Sequence, residues 1–192
     1  MDPIVRAALV HYQFETAHPF LDGNGRLGRL LITLMLINDG VLHSCLFYPS
    51  FQFKKNRSEY YRQLTSVRER GTYEEWIEFF CNSLLESAKD SVGSLKNLVD
   101  LHNRSTATIT ENLGRTAANG QRLLSILEEH PIVDTAFIAA QLDIGRSTAS
   151  SLVKSFEELG ILRPLDESRQ RYRQYGYEEY LSILREDAEP IR

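Results

Sequence analysis

Between His18 and Arg29 the chain reads HPFLDGNGRLGR, which gathers a histidine, an acid, two glycines around an asparagine, and two arginines three residues apart. Gly23 and Gly25 permit backbone dihedrals closed to other residues. Successive N–H groups there can point into one concavity at the start of a following helix, which is an anion cradle. Arg26 and Arg29 fall on one face of that helix's first turn, where cations are unfavourable unless an anion sits between them. Two guanidinium groups in that position suit a polyphosphate. Asp22 would be repelled by phosphates unless a divalent cation intervened, and magnesium (Mg2+) commonly takes one carboxylate plus phosphate oxygens. Asn24 can donate through its amide to a phosphate oxygen. His18 precedes the cradle, and an imidazole is a side chain commonly used as a general base near neutral pH. A base, a metal carboxylate and an anion cradle together describe phosphoryl-group transfer.

Each of these residues also has a plainer reading. Asp22-Gly23 and Asn24-Gly25 are turn dipeptides of the kind that joins hairpin strands. The flanks on both sides are helical in pattern, which decides against a hairpin. A lone histidine at a helix C-terminus is most simply a cation on the helix dipole, and Phe20 reads as a core anchor that holds the base in place.

The elements that must position these groups are legible on either side. Asp2-Pro3 reads as an N-cap followed by proline at the first helical position, and Ile4, Ala8, Leu9 and Tyr12 follow at helical spacing. After the loop, RLGRLLITLMLINDG is apolar nearly all round and ends at Asn38-Asp39-Gly40, which places it in the centre of a domain. FKKNRSEYYRQLTSVRER closes at Gly71, and TYEEW through LHNR forms one long helix or two. STATITENLGRTAANG is small and polar, the pattern of a linker or frayed junction. Beyond it, GQRLLSILEEH, TAFIAAQLDIG and RSTASSLVKSFEELG are three short helices, the last two joined by a tight turn at Asp143-Ile144-Gly145. ILRPL and RYRQYGY read as two strands around a polar loop from Asp166 to Gln170, and EEYLSILRE as a closing helix. Three helices with a two-stranded wing form a winged helix-turn-helix pattern. The fold class is therefore mainly α, with a helical core over 1–115 and a winged helix-turn-helix over 116–192.

Composition narrows the setting. A chain of 192 residues with net charge -4 and 42% hydrophobic residues is of the globular class. Cys45 and Cys81 match neither a metal spacing nor a disulfide framework, which points to reduced thiols and a cytoplasmic location. No run of about eighteen apolar residues offers a membrane span.

HPFLDGNGRLGR resembles the signature of the Fic family, His-x-Phe-x-Asp/Glu-Gly-Asn-Gly-Arg-x-x-Arg, at every fixed position. The resemblance extends from about Asp2 to Asn82, and the tail is similar to the winged-helix end of a large bacterial subgroup. It implies a protein adenylyltransferase that moves AMP from ATP to a Ser, Thr or Tyr hydroxyl of a target protein. Carried onto this chain, it makes His18 the base and Asp22 the magnesium ligand. Gly23, Asn24 and Gly25 become the phosphate cradle, and Arg26 and Arg29 the cations at the β- and γ-phosphates. Tyr60 and Tyr61 match a pair lining the adenine side, although a helix packing face explains them nearly as well. Gly25 stands where a kinase-like branch carries lysine, which favours AMP transfer. The chain begins after the family's usual upstream helices and target-aligning β-hairpin, so activity is expected to need that segment. The family's inhibitory pattern is absent: Glu111-Asn112 has Ala107, not Ser or Thr, four residues before the glutamate.

In the tail, Arg146, Ser147, Thr148, Ser150, Ser151 and Lys154 would lie exposed on the third helix, and Arg169, Arg171 and Arg173 on the wing. That face could read DNA. From Gln121 to Glu186, however, eight basic side chains stand against eleven acidic ones. Phosphate contact dominates affinity for DNA, so a net-acidic module reads better as a docking or homodimerisation unit. A nucleotide-sensing DNA-binding regulator without turnover is the alternative function.

Overall fold

The computed structural model describes residues 1–43, 49–166 and 173–186. The chain is mainly helical and forms two compact units, residues 1–93 and 94–186.

In the first unit, α1 (Pro3–Ala17) starts where the Asp2-Pro3 signal predicts. The Asp2 carboxylate accepts from the N–H groups of Ile4 and Val5 at 2.8 and 3.2 Å, satisfying donors that the first helical turn leaves unpaired. Pro19 disfavours right-handed helical backbone at the residue before it, which ends the helix. α2 (Asn24–Asn38) follows after the loop and stops at Asp39-Gly40, with Gly40 at φ 70°. An ion pair between Arg6 and Asp39 ties the start of α1 to the end of α2.

One face of α2 departs from its sequence pattern. Gly28, Ile32 and Leu36 are buried, whereas Leu27, Leu30 and Leu34, spaced i, i+3, i+7, are about half exposed. The helix is thus not enclosed on every side, because its buried stripe is served by one flank of neighbours only. FKKNRSEYYRQLTSVRER divides at Asn56 into α3 (Ser50–Lys55) and α4 (Arg57–Arg70), and α4 ends at left-handed Gly71.

α5 (Tyr73–Asn112) is one helix rather than two. Its N-terminal part supplies Trp76 and Phe80, both fully buried, to a core with Ala7, Ala8, Tyr12, Ile32, Phe53 and Tyr60. The indole N–H of Trp76 donates to the Ala8 carbonyl at 3.0 Å, so the largest core side chain carries no unsatisfied polar atom. Cys81 is unpaired, and burial raises its thiol above the ordinary value, the condition of an inert cysteine. Cys45 lies outside the described residues.

The second unit begins within α5. The stretch that reads as a linker is helical through Asn112, with Ile109 in the second core and Leu113 packed against it, and it breaks only at a 3-10 turn, Gly114–Thr116. Burial of those apolar residues outweighs the polar composition around them. α6 (Ala117–Glu129) packs close to this segment at Gly120, where a Cβ would lie 2.8 Å from both Ile109 and Leu113 side chains.

β1 (Ile132–Asp134) leads into α7 (Thr135–Leu142), which Asp134 caps through the Phe137 N–H at 2.7 Å. The turn at Asp143 carries its left-handed residue there, at φ 55°, and α8 (Arg146–Glu158) follows. β2 (Arg163–Pro164) and β3 (Gln174–Gly176) complete an antiparallel sheet in the order β1-β3-β2, and α9 (Glu178–Glu186) closes the unit. Pro164 sits on an edge strand, as its missing N–H requires. Only β2 and β3 are foreseen from sequence; β1 is three residues long and shows no alternation to detect. No helix among the described residues is long and apolar enough to cross a membrane.

Candidate active site

His18 caps α1 in the left-handed region, at φ 44° and ψ 56°, with its N–H donating to the Phe14 carbonyl at 3.0 Å. A non-glycine residue held there costs about 1–2 kcal/mol, and such positions concentrate where function needs them. The side chain is exposed beside the loop that leads to α2.

Gly23 precedes α2 at φ 81°, and no side chain caps the helix. The first-turn N–H groups of Asn24, Gly25 and Arg26 therefore have no helical acceptor. Both arginines fold back over this turn. A Cβ at Gly23 would lie 3.6 Å from Arg26 Nη2, and a Cβ at Gly25 would lie 3.1 Å from Arg29 Nη1. Two guanidinium groups thus crowd the positive end of a helix that has no acid in its first turn. The structure brings together Gly23, Gly25, Arg26 and Arg29 as the spacing predicts, in an arrangement suited to an anion.

Asp22 is almost fully exposed. Its Oδ1 accepts from the Gly23 N–H at 2.6 Å, and its Oδ2 lies 3.7 Å from Arg26 Nη2. Among the described residues no three His, Cys, Asp or Glu side chains cluster as a metal site. An open carboxylate beside an uncapped helix start is of a kind that suits magnesium, which dehydrates reluctantly and needs few protein ligands.

Three residues sit differently from their sequence reading. The Asn24 side chain is buried: its Oδ1 accepts from the Phe20 N–H at 2.9 Å and its Nδ2 donates to the Phe20 carbonyl at 2.5 Å. The amide clamps the loop, which leaves the backbone N–H as Asn24's offering to an anion. Phe20 is half exposed against Phe14, so its backbone, rather than its ring, is what anchors the loop. Tyr60 is a core residue at 4% exposure, while its neighbour Tyr61 is exposed with Arg57 over its ring at 5.7 Å. For Tyr60 the packing-face explanation is the one that matches its place.

The hydroxyl of Tyr60 leads to a layer beneath the loop that sequence reading passes over. His11 is fully buried, with its ring stacked on Phe53 and Trp76. A carbonyl can only accept, so Nδ1–H donates to the Gly28 carbonyl at 3.1 Å, and neutral Nε2 accepts from the Tyr60 hydroxyl at 3.0 Å. Burial, and secondarily the charge of Arg29, lowers the His11 pKa to about 4 despite its bond to Gly28. Burial likewise pushes the Tyr60 phenol up. At Gly28 a Cβ would lie 2.5 Å from Glu15 Oε1 and 3.2 Å from both the His11 and Phe14 rings, so a side chain there would have to displace the Glu15 carboxylate and crowd two packed rings. The signal was available: His11, Glu15 and His18 are spaced i, i+4, i+7 on one helix, and a glycine inside the opposing helix invites close approach.

Residues 1–36 match the Fic/DOC family. The chain is 35% identical over 96 residues to "Protein adenylyltransferase fic-1" of Caenorhabditis briggsae, covering 50% of this chain and 18% of that protein. It is 34% identical over 100 residues to the Caenorhabditis elegans protein of the same name, 52% of this chain and 18% of the relative. With "Protein adenylyltransferase Fic" of Drosophila ananassae it shares 37% identity over 82 residues, 43% of this chain and 15% of that protein. The chain thus spans less than a fifth of the length of these curated relatives. The family match covers α1, the loop and most of α2, the segment that carries His18, Asp22, Arg26 and Arg29.

The buried His11 generates a pH prediction. In the unfolded chain it takes a proton below about 6.5, whereas in the folded protein it does so only near pH 4. Between those values the unfolded state binds more protons, so stability is complete above pH 6.5 and declines as pH falls toward 4. The full loss attributable to His11 is about 3.5 kcal/mol, from roughly 1.4 kcal/mol per pH unit. Glu15, raised by burial, acts in the opposite sense, so the test compares slopes. Urea unfolding of His11→Gln should depend less on pH across this window than the parent; equal slopes would contradict a neutral buried His11.

Proposed function

We propose that this chain carries the nucleotide site of a protein adenylyltransferase, which transfers AMP from ATP to a Ser, Thr or Tyr hydroxyl of a target protein. The observation that carries the reading is the pairing of an exposed, strained His18 with an uncapped helix start over which Arg26 and Arg29 both fold. The family match and the printed activity of the relatives support it.

In this reading His18 takes the proton of the target hydroxyl. The freed electron pair on oxygen forms a bond to the α-phosphorus, and the bond to the β-phosphate oxygen breaks with its pair leaving on pyrophosphate. The N–H groups of Asn24, Gly25 and Arg26 and the guanidinium groups of Arg26 and Arg29 hold the β- and γ-phosphates, where negative charge gathers. Asp22 is the residue that would hold a magnesium ion, whose chemistry when bound is to neutralise phosphate charge. Tyr61, exposed on α4, is the member of the tyrosine pair left to face the adenine.

For the second unit we propose a winged helix-turn-helix that docks a protein partner or a second copy. The three helices with an edge-on antiparallel sheet support that architecture. Arg146, Ser147, Thr148, Ser150, Ser151 and Lys154 are exposed on α8, as a DNA-reading face would require. Of the wing arginines, Arg169 and Arg171 lie outside the described residues, and Arg173 immediately precedes β3. The acidic balance of the module favours protein over DNA.

Two measurements test these readings. His18→Ala should bind magnesium-ATP within about twofold of the parent by calorimetry, while AMP transfer falls about 10²- to 10⁴-fold, the range a positioned base supplies. Asp22→Ala and Arg29→Ala should instead weaken binding. Undiminished transfer in His18→Ala would remove the base assignment. For the second unit, the chain should show negligible affinity for random duplex DNA at physiological salt; submicromolar binding with a steep salt dependence would restore the DNA-binding alternative.

A further inference from the structure

α5 carries two neighbouring stripes, of which this chain uses one. Leu84, Ser87, Leu101 and Ser105 are buried, and Leu98 packs against the second core. One residue further on, Leu85, Ala88, Val92, Leu95 and Val99 are exposed, the four larger side chains at 49% to 59%. Single exposed apolar residues are ordinary on a surface. These five recur in alternating steps of three and four, so the helical repeat alone puts them on one face of one helix. The next position in the series, His102, is tied to Glu128 at 2.6 Å and ends the apolar run.

The spacing selects the kind of partner. A helix lying on a globular core presents a broad apolar face, whereas a narrow stripe repeating every 3.5 residues or so is the seam that a second helix follows by supercoiling. With Leu85, Val92 and Val99 as a positions and Ala88 and Leu95 as d, the e positions on the open flank of the seam are Lys89 and Lys96. On the other flank the g positions Leu84 and Leu98 are taken up by this chain's own packing. Lys89 pairs with Glu86 at 2.7 Å, an exposed pair that exchanges readily, and Lys96 has no ion pair among the described residues.

A second copy of the chain leaves those charges unanswered. Run antiparallel, e faces e, which sets Lys89 of one copy beside Lys96 of the other. Run parallel, e faces g, where only Leu84, Ser91 and Leu98 stand.

We propose that the 85–99 face of α5 docks an amphipathic helix of another protein, one with apolar residues at heptad spacing and carboxylates beside them to meet Lys89 and Lys96. The apolar seam supplies affinity and the two lysines the choice of partner. The inference is independent of the AMP-transfer reading, because no residue of the His18 loop takes part.

The test titrates the full chain with two synthetic helical peptides about four heptads long, both with leucine at a and d. One carries glutamate at every e and g position, the other lysine, and like charges keep each peptide from pairing with itself. Calorimetry at low salt should show saturable binding of the glutamate peptide and, on the order of tenfold weaker, of the lysine peptide, with the gap narrowing as salt rises. Val92→Glu combined with Val99→Glu should abolish binding; both positions are exposed, so helix content by circular dichroism should match the parent. Lys89→Glu combined with Lys96→Glu should reverse the order of the two peptides. Equal affinity for both peptides, no binding of either, or a dimer of the chain itself that Val92→Glu dissociates in sedimentation, overturns the proposal, and each leaves AMP transfer standing.

Discussion

The close approach of α1 and α2 at Gly28 is the constraint on which the rest of the first unit depends. Glycine in a helix interior is unfavourable by about 1 kcal/mol against alanine, yet here a methyl group would collide with the Glu15 carboxylate and crowd the rings of His11 and Phe14. In its absence the Gly28 carbonyl receives the His11 N–H, and the two helices lock in one register. That register sets where His18, at the end of α1, stands relative to the helix start that follows it. The geometry of the site is therefore decided about one helical turn below its surface.

Two layers with opposite electrostatic character result. Beneath, His11 is kept neutral among Phe53, Tyr60, Trp76 and Phe80, and every polar atom it offers is used. Above, His18, Asp22 and Arg26 are exposed charges or bases with little to hold them but the loop itself. The Asn24 amide joins the layers by pinning both polar groups of the Phe20 backbone. An apolar floor under a charged loop is the arrangement that preorganised recognition of an anion would use, because donors already held in place need not rearrange.

Much of this is legible in the linear sequence where the signal is local. Asp2-Pro3 caps α1, Asp39-Gly40 and Gly71 end their helices, and Asp143 turns the chain between α7 and α8, because each depends on the backbone preferences of one or two residues. The crowding of Arg26 and Arg29 over the start of α2 is legible for the same reason: the glycines and arginines lie within about two helical turns. Properties set by distant neighbours are not. Whether Tyr60 faces a ligand or the core depends on His11, 49 positions earlier, and whether Asn24 donates to a phosphate depends on what the folded loop does with Phe20. Leu27, Leu30 and Leu34 look buried because composition reports hydrophobicity, not the presence of a neighbour. The polar run ahead of Gly114 hides a helix because only Ile109 and Leu113 need burial against the second core to order it.

The central claim is that this arrangement moves AMP rather than phosphate. The most direct measurement compares label transfer to protein from ATP carrying the label at the α-phosphate with transfer from ATP carrying it at the γ-phosphate, in parallel with magnesium present. The account predicts covalent label from the α-position only, with pyrophosphate released in equal amount. Label arriving from the γ-position, or none from either on the chain or on added lysate proteins, would contradict it.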